Sequence, residues 1–162
     1  MGMIRAATPD DVPAIHAVLR AYAGDPSLFQ QPLQQIRRAI ADFRVAVGAD
    51  GRVIGCAALC RRGPWAEILA VAVHPDVQGG GVGSSLIREL VKVARGAGLR
   101  VWLGTAKPAW FARFGFQPLS RWRLPIGVLL HKLRLVFQQP VRRWLPAIFG
   151  RHTFMMLAVG GR

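Results

Sequence analysis

The stretch that decides the fold is Ala66-Glu67-Ile68-Leu69-Ala70-Val71-Ala72-Val73-His74-Pro75-Asp76-Val77-Gln78-Gly79-Gly80-Gly81-Val82-Gly83. From Trp65 to Val73 it is apolar at every position except Glu67. A run that is apolar on both faces predicts a buried, central strand. The glycines that follow lead into Ser84-Ser85 and a helical pattern, with Leu86, Leu90 and Ala94 on one face and Ile87 and Val91 beside them. Gly96 and Gly98 end that helix. A strand that turns through glycines into a helix suits an anion. The first N–H groups of the helix lack partners, the dipole favours negative charge, and glycines allow close approach. Three phosphate-binding patterns compete. The P-loop requires Lys after its last glycine, and Ser84 stands there. The dinucleotide fingerprint requires a third glycine where Ser84 stands, and an acid about 20 residues on. No acid follows Glu89. Gln/Arg-x-x-Gly-x-Gly/Ala fits throughout, from Gln78 to Gly83.

Working outward, Met3 to Ala7 reads as a short strand. Thr8-Pro9-Asp10-Asp11 sets a cap, an N1 proline and two first-turn acids ahead of Val12, Ile15, Val18, Leu19 and Tyr22 at helical spacing. Gly24-Asp25-Pro26 breaks this helix. Pro32 opens a second through Leu33, Ile36, Ile40 and Phe43. Arg44 to Ala49 and Arg52 to Cys60 form a hairpin about Asp50-Gly51. Arg61-Arg62-Gly63-Pro64 turns into the central strand. Beyond the glycine helix lie a buried strand (Leu99 to Gly104), a short helix (Pro108 to Phe114), a strand (Phe116 to Trp122) and a last strand (His152 to Val159). The order predicts a mixed α/β (α+β) layer fold. Residues 124–150 carry an insert, basic and apolar, with Leu129, Leu130, Leu133, Val136 and Phe137 at helical spacing.

The length of 162 residues predicts one domain over 1–162, and 52% hydrophobic against 19% charged residues excludes disorder. No apolar run approaches the ~20 residues of a membrane span, and the N-terminus does not read as a signal peptide. The net charge is +14. All 8 acids stand at or before Glu89, so the basic half attracts anions: a phosphorylated cofactor, an acidic substrate, nucleic acid or a membrane. Cys56 and Cys60, four apart on one strand face, read as small core residues and offer no metal site. Reduced cytoplasmic life fits them.

The central strand, the Gln78–Gly83 loop and the later Trp110-Phe111-Ala112-Arg113-Phe114-Gly115-Phe116 together resemble the GNAT N-acetyltransferase superfamily over residues 3 to 122 and the last strand. Within it they are most similar to the acetyltransferase domains of N-acetylglutamate synthases. The resemblance implies a central mixed, mostly antiparallel sheet flanked by helices, with the basic insert before the last strand. It implies acetyl-coenzyme A as acetyl donor. Its pyrophosphate is expected on the N–H groups of Gln78, Gly79, Gly80, Gly81, Val82, Gly83 and Ser84. Its pantetheine is expected along Ala70, Val71, Ala72 and Val73, and Trp110, Phe111 and Arg113 complete the coenzyme set.

Glu67 is an acid in an apolar strand. The acceptor amine arrives as ammonium, and a carboxylate in a partly apolar cleft serves as its base. The resemblance implies the same role, since the histone-modifying branch has its base at a similar offset. The rival reading is a strand-edge acid paired with Arg61 or Arg62. Phe111 departs from the family, where many members carry a Tyr that protonates the departing thiolate. The synthase branch also tends to have Phe there. Acceptor candidates are Phe29, Arg61, Arg62 and Arg151, arginine being suited to carboxylates. The expected activity is acetylation of a small amine, an amino acid with an acidic side chain, by direct transfer in a ternary complex. The alternatives are protein or peptide acetylation, and a non-catalytic module that binds coenzyme A, a polyanion or a membrane. The insert reads as a lid, a homodimer arm or a peripheral membrane helix. Nucleic acid is the least favoured partner.

Overall fold

The computed structural model describes residues 3–24, 31–119 and 153–157. The chain divides into two compact units, Met1–Trp102 and Leu103–Arg162. In the first lie β1 (Met3–Ala6), α1 (Val12–Arg20), α2 (Leu33–Arg38), β2 (Phe43–Val47), β3 (Val53–Arg62), β4 (Trp65–Val73), α3 (Val82–Gly96) and the start of β5 (Arg100–Thr105). The strands run β1-β2-β3-β4-β5. The first three pairings are antiparallel and β4 pairs with β5 in parallel. A parallel neighbour needs a crossover, which α3 supplies. The result is a mixed, mostly antiparallel sheet flanked by helices, with β4 internal as its apolar run predicts.

Burial explains the layers. On one face Val12, Ile15, Val18 and Leu19 of α1, with Ile36 of α2, close over Phe43, Val45, Cys56, Ala58, Ala70 and Ala72. Leu86, Ile87, Leu90, Val91 and Ala94 are the buried side of α3. Gly55 lets that helix start close to the sheet. A Cβ there would lie 3.1 Å from the Ala72 carbonyl, 3.2 Å from Val82 and 3.3 Å from Leu86. A side chain at Gly55 therefore pushes the beginning of α3 off the sheet.

Some boundaries differ from the sequence reading. α2 stops at Arg38, because Ala39 leaves helical geometry (φ −104, ψ 14) and a 3-10 turn, Ile40–Asp42, leads into β2. This turn keeps Ile40 against the core. The expected four-residue turn after Cys60 shrinks to Gly63-Pro64, with Arg61 and Arg62 inside β3 opposite Ala66 and Trp65. Gly63 takes φ +59, which lets two residues close the hairpin.

The second unit holds α4 (Pro108–Ala112), β6 (Phe116–Pro118) and β7 (Thr153–Leu157), the strands paired antiparallel. Phe111 and Phe116 are buried with ring centroids 6.0 Å apart. The insert at 124–150, Phe29, Arg151 and the ends predicted for the last two strands lie outside the described residues.

A clamp fastens β1 to the start of α1. Arg5 meets Asp11 through two bonds of 2.6 and 2.9 Å, and Asp11 also accepts from the Thr8 N–H (2.7 Å) and hydroxyl (3.0 Å). The Arg5 hydrogen bond, with Thr8 adding to it, pushes the Asp11 carboxyl down to about 2. A depressed acid stabilises the fold above its unfolded pKa, and the gain is lost as pH falls through the folded one. Asp11→Asn is expected to cost about 1–2 kcal/mol at neutral pH, tempered by the part-exposed Arg5. In denaturant titrations the gap to the parent should narrow as pH falls from about 4 toward 2.

Candidate active site

β4 carries a bulge at its centre. Cys56 pairs with Ala72 and Ala58 with Leu69, so Ala70 and Val71 together face Ala57. Ala70 takes φ +54, a left-handed conformation that costs a non-glycine residue on the order of 1 kcal/mol. Bulges re-aim a strand beside active sites. The Cys56 thiol lies 3.6 Å from the Ala70 carbonyl and satisfies it from within the core. The parallel ladder with β5 covers Trp65–Glu67, so the edge of β4 from Ile68 onward lies beyond that ladder.

Glu67 is 7% exposed, one of three buried polar residues among the described residues. Its register partners are Cys60 on β3 and Trp102 on β5. Direct partners share a face. Ala58 and Cys60 alternate onto the face covered by α1 and α2, so Glu67 stands at the margin of that core. The Cys60 thiol donates to Asp42 at 3.3 Å. Burial first, and Asp42 second, push that thiol up to about 11. Cys60 is thus a half-buried, proton-bearing neighbour of Glu67, where the sequence reading has a plain core residue. One row further along the same face lie Arg62, Trp65 and Arg100, with the Arg100 guanidinium 5.4 Å from the Trp65 ring centre. Arg61 opposes Ala66 and so belongs to the other face. The two candidate arginines are therefore separated, and Arg62 is the one that shares a face with Glu67.

After β4 the chain makes a 3-10 turn, Pro75–Val77, begun by His74, whose Nδ1 accepts from the Asp76 N–H at 3.4 Å. Gln78 is extended. Gly79 and Gly81 take φ +84 and +79, and Gly81 caps α3. A Cβ added at either would meet nothing within 4 Å. Crowding inside the protein does not demand glycine there. The conformation does, and the open side leaves room for a ligand. The first backbone bond of α3 runs from Ser85 N–H to the Gly81 carbonyl at 3.0 Å, so the N–H groups of Val82, Gly83 and Ser84 precede the helical ladder. This cradle fits the phosphates of a coenzyme.

Tyr22 enters the site unannounced by sequence. It lies just past α1, and its ring packs on the core as its spacing predicts. Its hydroxyl donates to the Val73 carbonyl and accepts from the Gln78 side-chain amide. The one signal in the sequence is that the residue is Tyr and not Phe.

In the second unit Trp110, Phe111 and Phe114 stack edge to face, at 4.7 and 5.0 Å from Trp110. Arg113 lies over both Trp110 and Phe114, at 5.7 and 5.8 Å. Phe111 is buried in this cluster. Among the described residues no group of His, Cys, Asp and Glu could hold a metal ion, and no helix is long and apolar enough to cross a membrane.

A buried acid on a bulged central strand thus leads, along one continuous segment, into an open N–H cradle at a helix start. The chain belongs to the acetyltransferase (GNAT) family, whose model matches residues 12–116, and it is an acyltransferase. It is 38% identical over 124 residues to the amino-acid acetyltransferase of Mycobacterium tuberculosis, covering 73% of this chain and 70% of that one. The amino-acid acetyltransferase of Neisseria meningitidis is 35% identical over 126 residues, but the match spans only 29% of that longer protein. Among solved structures, Rv2747 of Mycobacterium tuberculosis in complex with CoA and NLQ superposes with a TM-score of 0.79 at 30% identity, over 98% of this chain and 99% of that one. N-acetylglutamate synthase of Neisseria gonorrhoeae, complexed with coenzyme A and N-acetyl-glutamate, gives 0.76 at 28% identity, over 96% of this chain and 34% of that one. The chain is thus closely related to acetyltransferase domains of the N-acetylglutamate synthase type.

Proposed function

We propose that this chain, as one catalytic domain over 1–162, moves the acetyl group of acetyl-coenzyme A directly to the amine of an amino acid with an acidic side chain. The observation that carries the proposal is the continuity of β4, loop and α3, which puts the buried Glu67 and the N–H cradle on one strand–turn–helix unit. The names of the mycobacterial and neisserial relatives support the amino acid, and the gonococcal complex with N-acetyl-glutamate supports its acidic side chain.

The cradle from Gln78 to Ser84 holds the pyrophosphate, and the edge of β4 from Ala70 to Val73 takes the pantetheine. Glu67 accepts the ammonium proton, directly or through water. The freed nitrogen attacks the thioester carbonyl, and backbone N–H groups of β4 steady the oxyanion. The C–S bond then breaks. The nitrogen, cationic after its attack, gives up its second proton to water, and the thiolate leaves and takes a proton from water, since Phe111 has none to give and the Tyr22 hydroxyl is engaged at the loop. Arg62, on the face of Glu67, receives an acceptor carboxylate, with Phe29, Arg61 and Arg151 as further candidates. Trp110, Phe111 and Arg113 stay candidates for the coenzyme and the 124–150 insert a candidate lid or dimer arm, and the protein works in the cytoplasm.

A panel of acidic, neutral and basic amino acids and lysine peptides, read by thiol release from acetyl-coenzyme A, tests this. Burial pushes the Cys56 thiol up to about 12, and burial with Asp42 beside it pushes Cys60 up to about 11; a blank without acceptor accounts for the protein's own thiols. Faster release with glutamate or aspartate than with the rest is expected. Preference for a lysine peptide would remove the amino-acid acceptor.

A further inference from the structure

We infer that Tyr22 is a positioning residue that fixes the distance between the two halves of the coenzyme site. This rests on the coenzyme reading above and goes beyond it. The Tyr22 hydroxyl donates to the carbonyl of Val73, the last residue of β4, and accepts from the Nε2 of Gln78, the first residue of the cradle. One oxygen therefore closes a ring across the turn from His74 to Val77. Val73 ends the edge assigned to pantetheine, and Gln78 begins the N–H groups assigned to pyrophosphate. A ligand that spans both subsites is sensitive to their separation in a way that a ligand filling one is not.

The link has a firm base on one side and a weak hold on the other. The Tyr22 ring packs against the core cluster of α1 and the sheet, so the hydroxyl is delivered from a fixed wall. The Val73 end is paired to Gly55 on β3. The next residue, His74, donates its N–H to the Ile54 carbonyl at 2.8 Å. Gln78 is exposed, and its N–H reaches the Pro75 carbonyl at only 3.3 Å. Gly79 follows with φ +84 and open space about it. Holding the Gln78 side chain removes freedom from a loop that ligand would otherwise have to order, which is preorganisation. The same geometry shows why this tyrosine is not the missing proton donor to the thiolate. Its proton is committed to Val73, at the far end of β4 from Glu67.

Tyr22→Phe keeps the ring and its packing and removes only the link. Calorimetry with coenzyme A should show affinity weakened by about 5- to 20-fold, the range for one or two lost hydrogen bonds. Turnover at saturating acetyl-coenzyme A should stay near the parent value while its KM rises. Adenosine 3′,5′-bisphosphate and pantetheine, which each fill one subsite, should bind the variant as they bind the parent. Gln78→Ala should reproduce the loss, and the double variant should be no worse than either single one. If Tyr22→Phe does not fold, Gln78→Ala with the same three ligands carries the test alone. Unchanged affinity for coenzyme A overturns the inference, as do equal losses for the whole coenzyme and its fragments, or losses that add. A parent protein that binds no coenzyme A overturns the functional reading itself, a result distinct from parent binding that the variants leave intact.

Discussion

Gly83→Glu is expected to abolish coenzyme binding in a protein that still folds. Gly83 sits in the first turn of α3 and is not among the glycines held at positive φ. A side chain there carries no left-handed strain, unlike one at Gly81 (φ +79), where loss of binding would be mixed with loss of local structure. Glutamate in a first helical turn even favours the helix through its dipole. The same carboxylate stands beside the N–H groups that precede the helical ladder and repels the phosphates they would hold. At contact distance one such repulsion is about 4 kcal/mol near a protein surface, roughly a thousandfold in affinity. Gly83→Ala, which adds bulk without charge, should lose far less. Calorimetry with coenzyme A beside a thermal melt separates the outcomes. A Gly83→Glu protein that melts like the parent and binds like it would take the loop out of the account.

Glu67→Gln keeps size and hydrogen-bonding capacity and removes the base. Turnover should fall by about 100- to 10,000-fold, the usual range for such a loss. The KM for acetyl-coenzyme A should barely move, because the cradle is untouched. The parent rate should rise with pH through one ionisation and then flatten. In the variant that limb should vanish or move toward the pKa of the free amine. Register narrows the rival reading. Glu67 is buried opposite Cys60, Arg61 belongs to the other face, and Arg62 is the one rival partner that shares the face of Glu67. A variant with nearly full turnover at neutral pH would make Glu67 a structural acid.

The part of the site that was legible in sequence is the part built from neighbours in the chain. An apolar run broken by one acid, a set of glycines and a helical pattern follow one another without interruption, and β4, the cradle and α3 form where those patterns put them. The bulge was not legible. Nothing in Leu69-Ala70-Val71 announces that Ala70 will turn left-handed, because the cause is the pairing with β3. Tyr22 lies 51 residues from Val73, and no local pattern reports a hydrogen bond over that separation. The Cys60–Asp42 contact escaped for the same reason, and there α2 was expected to run on to Phe43 when it stops at Arg38. Arg61 and Arg62 looked equivalent as a basic pair in a turn. Only the extension of β3 to Arg62 gives them opposite faces.

The central claim is direct transfer within a complex of protein, acetyl-coenzyme A and an acidic amino acid. Initial rates of thiol release, measured while both substrates are varied together with the product followed by mass spectrometry, test it most directly. The account predicts reciprocal plots that intersect, an N-acetylated amino acid as product, and no acetylated protein when the acceptor is left out. Parallel plots with an acetyl group carried on the protein, or thiol release that does not depend on the acceptor, would contradict it.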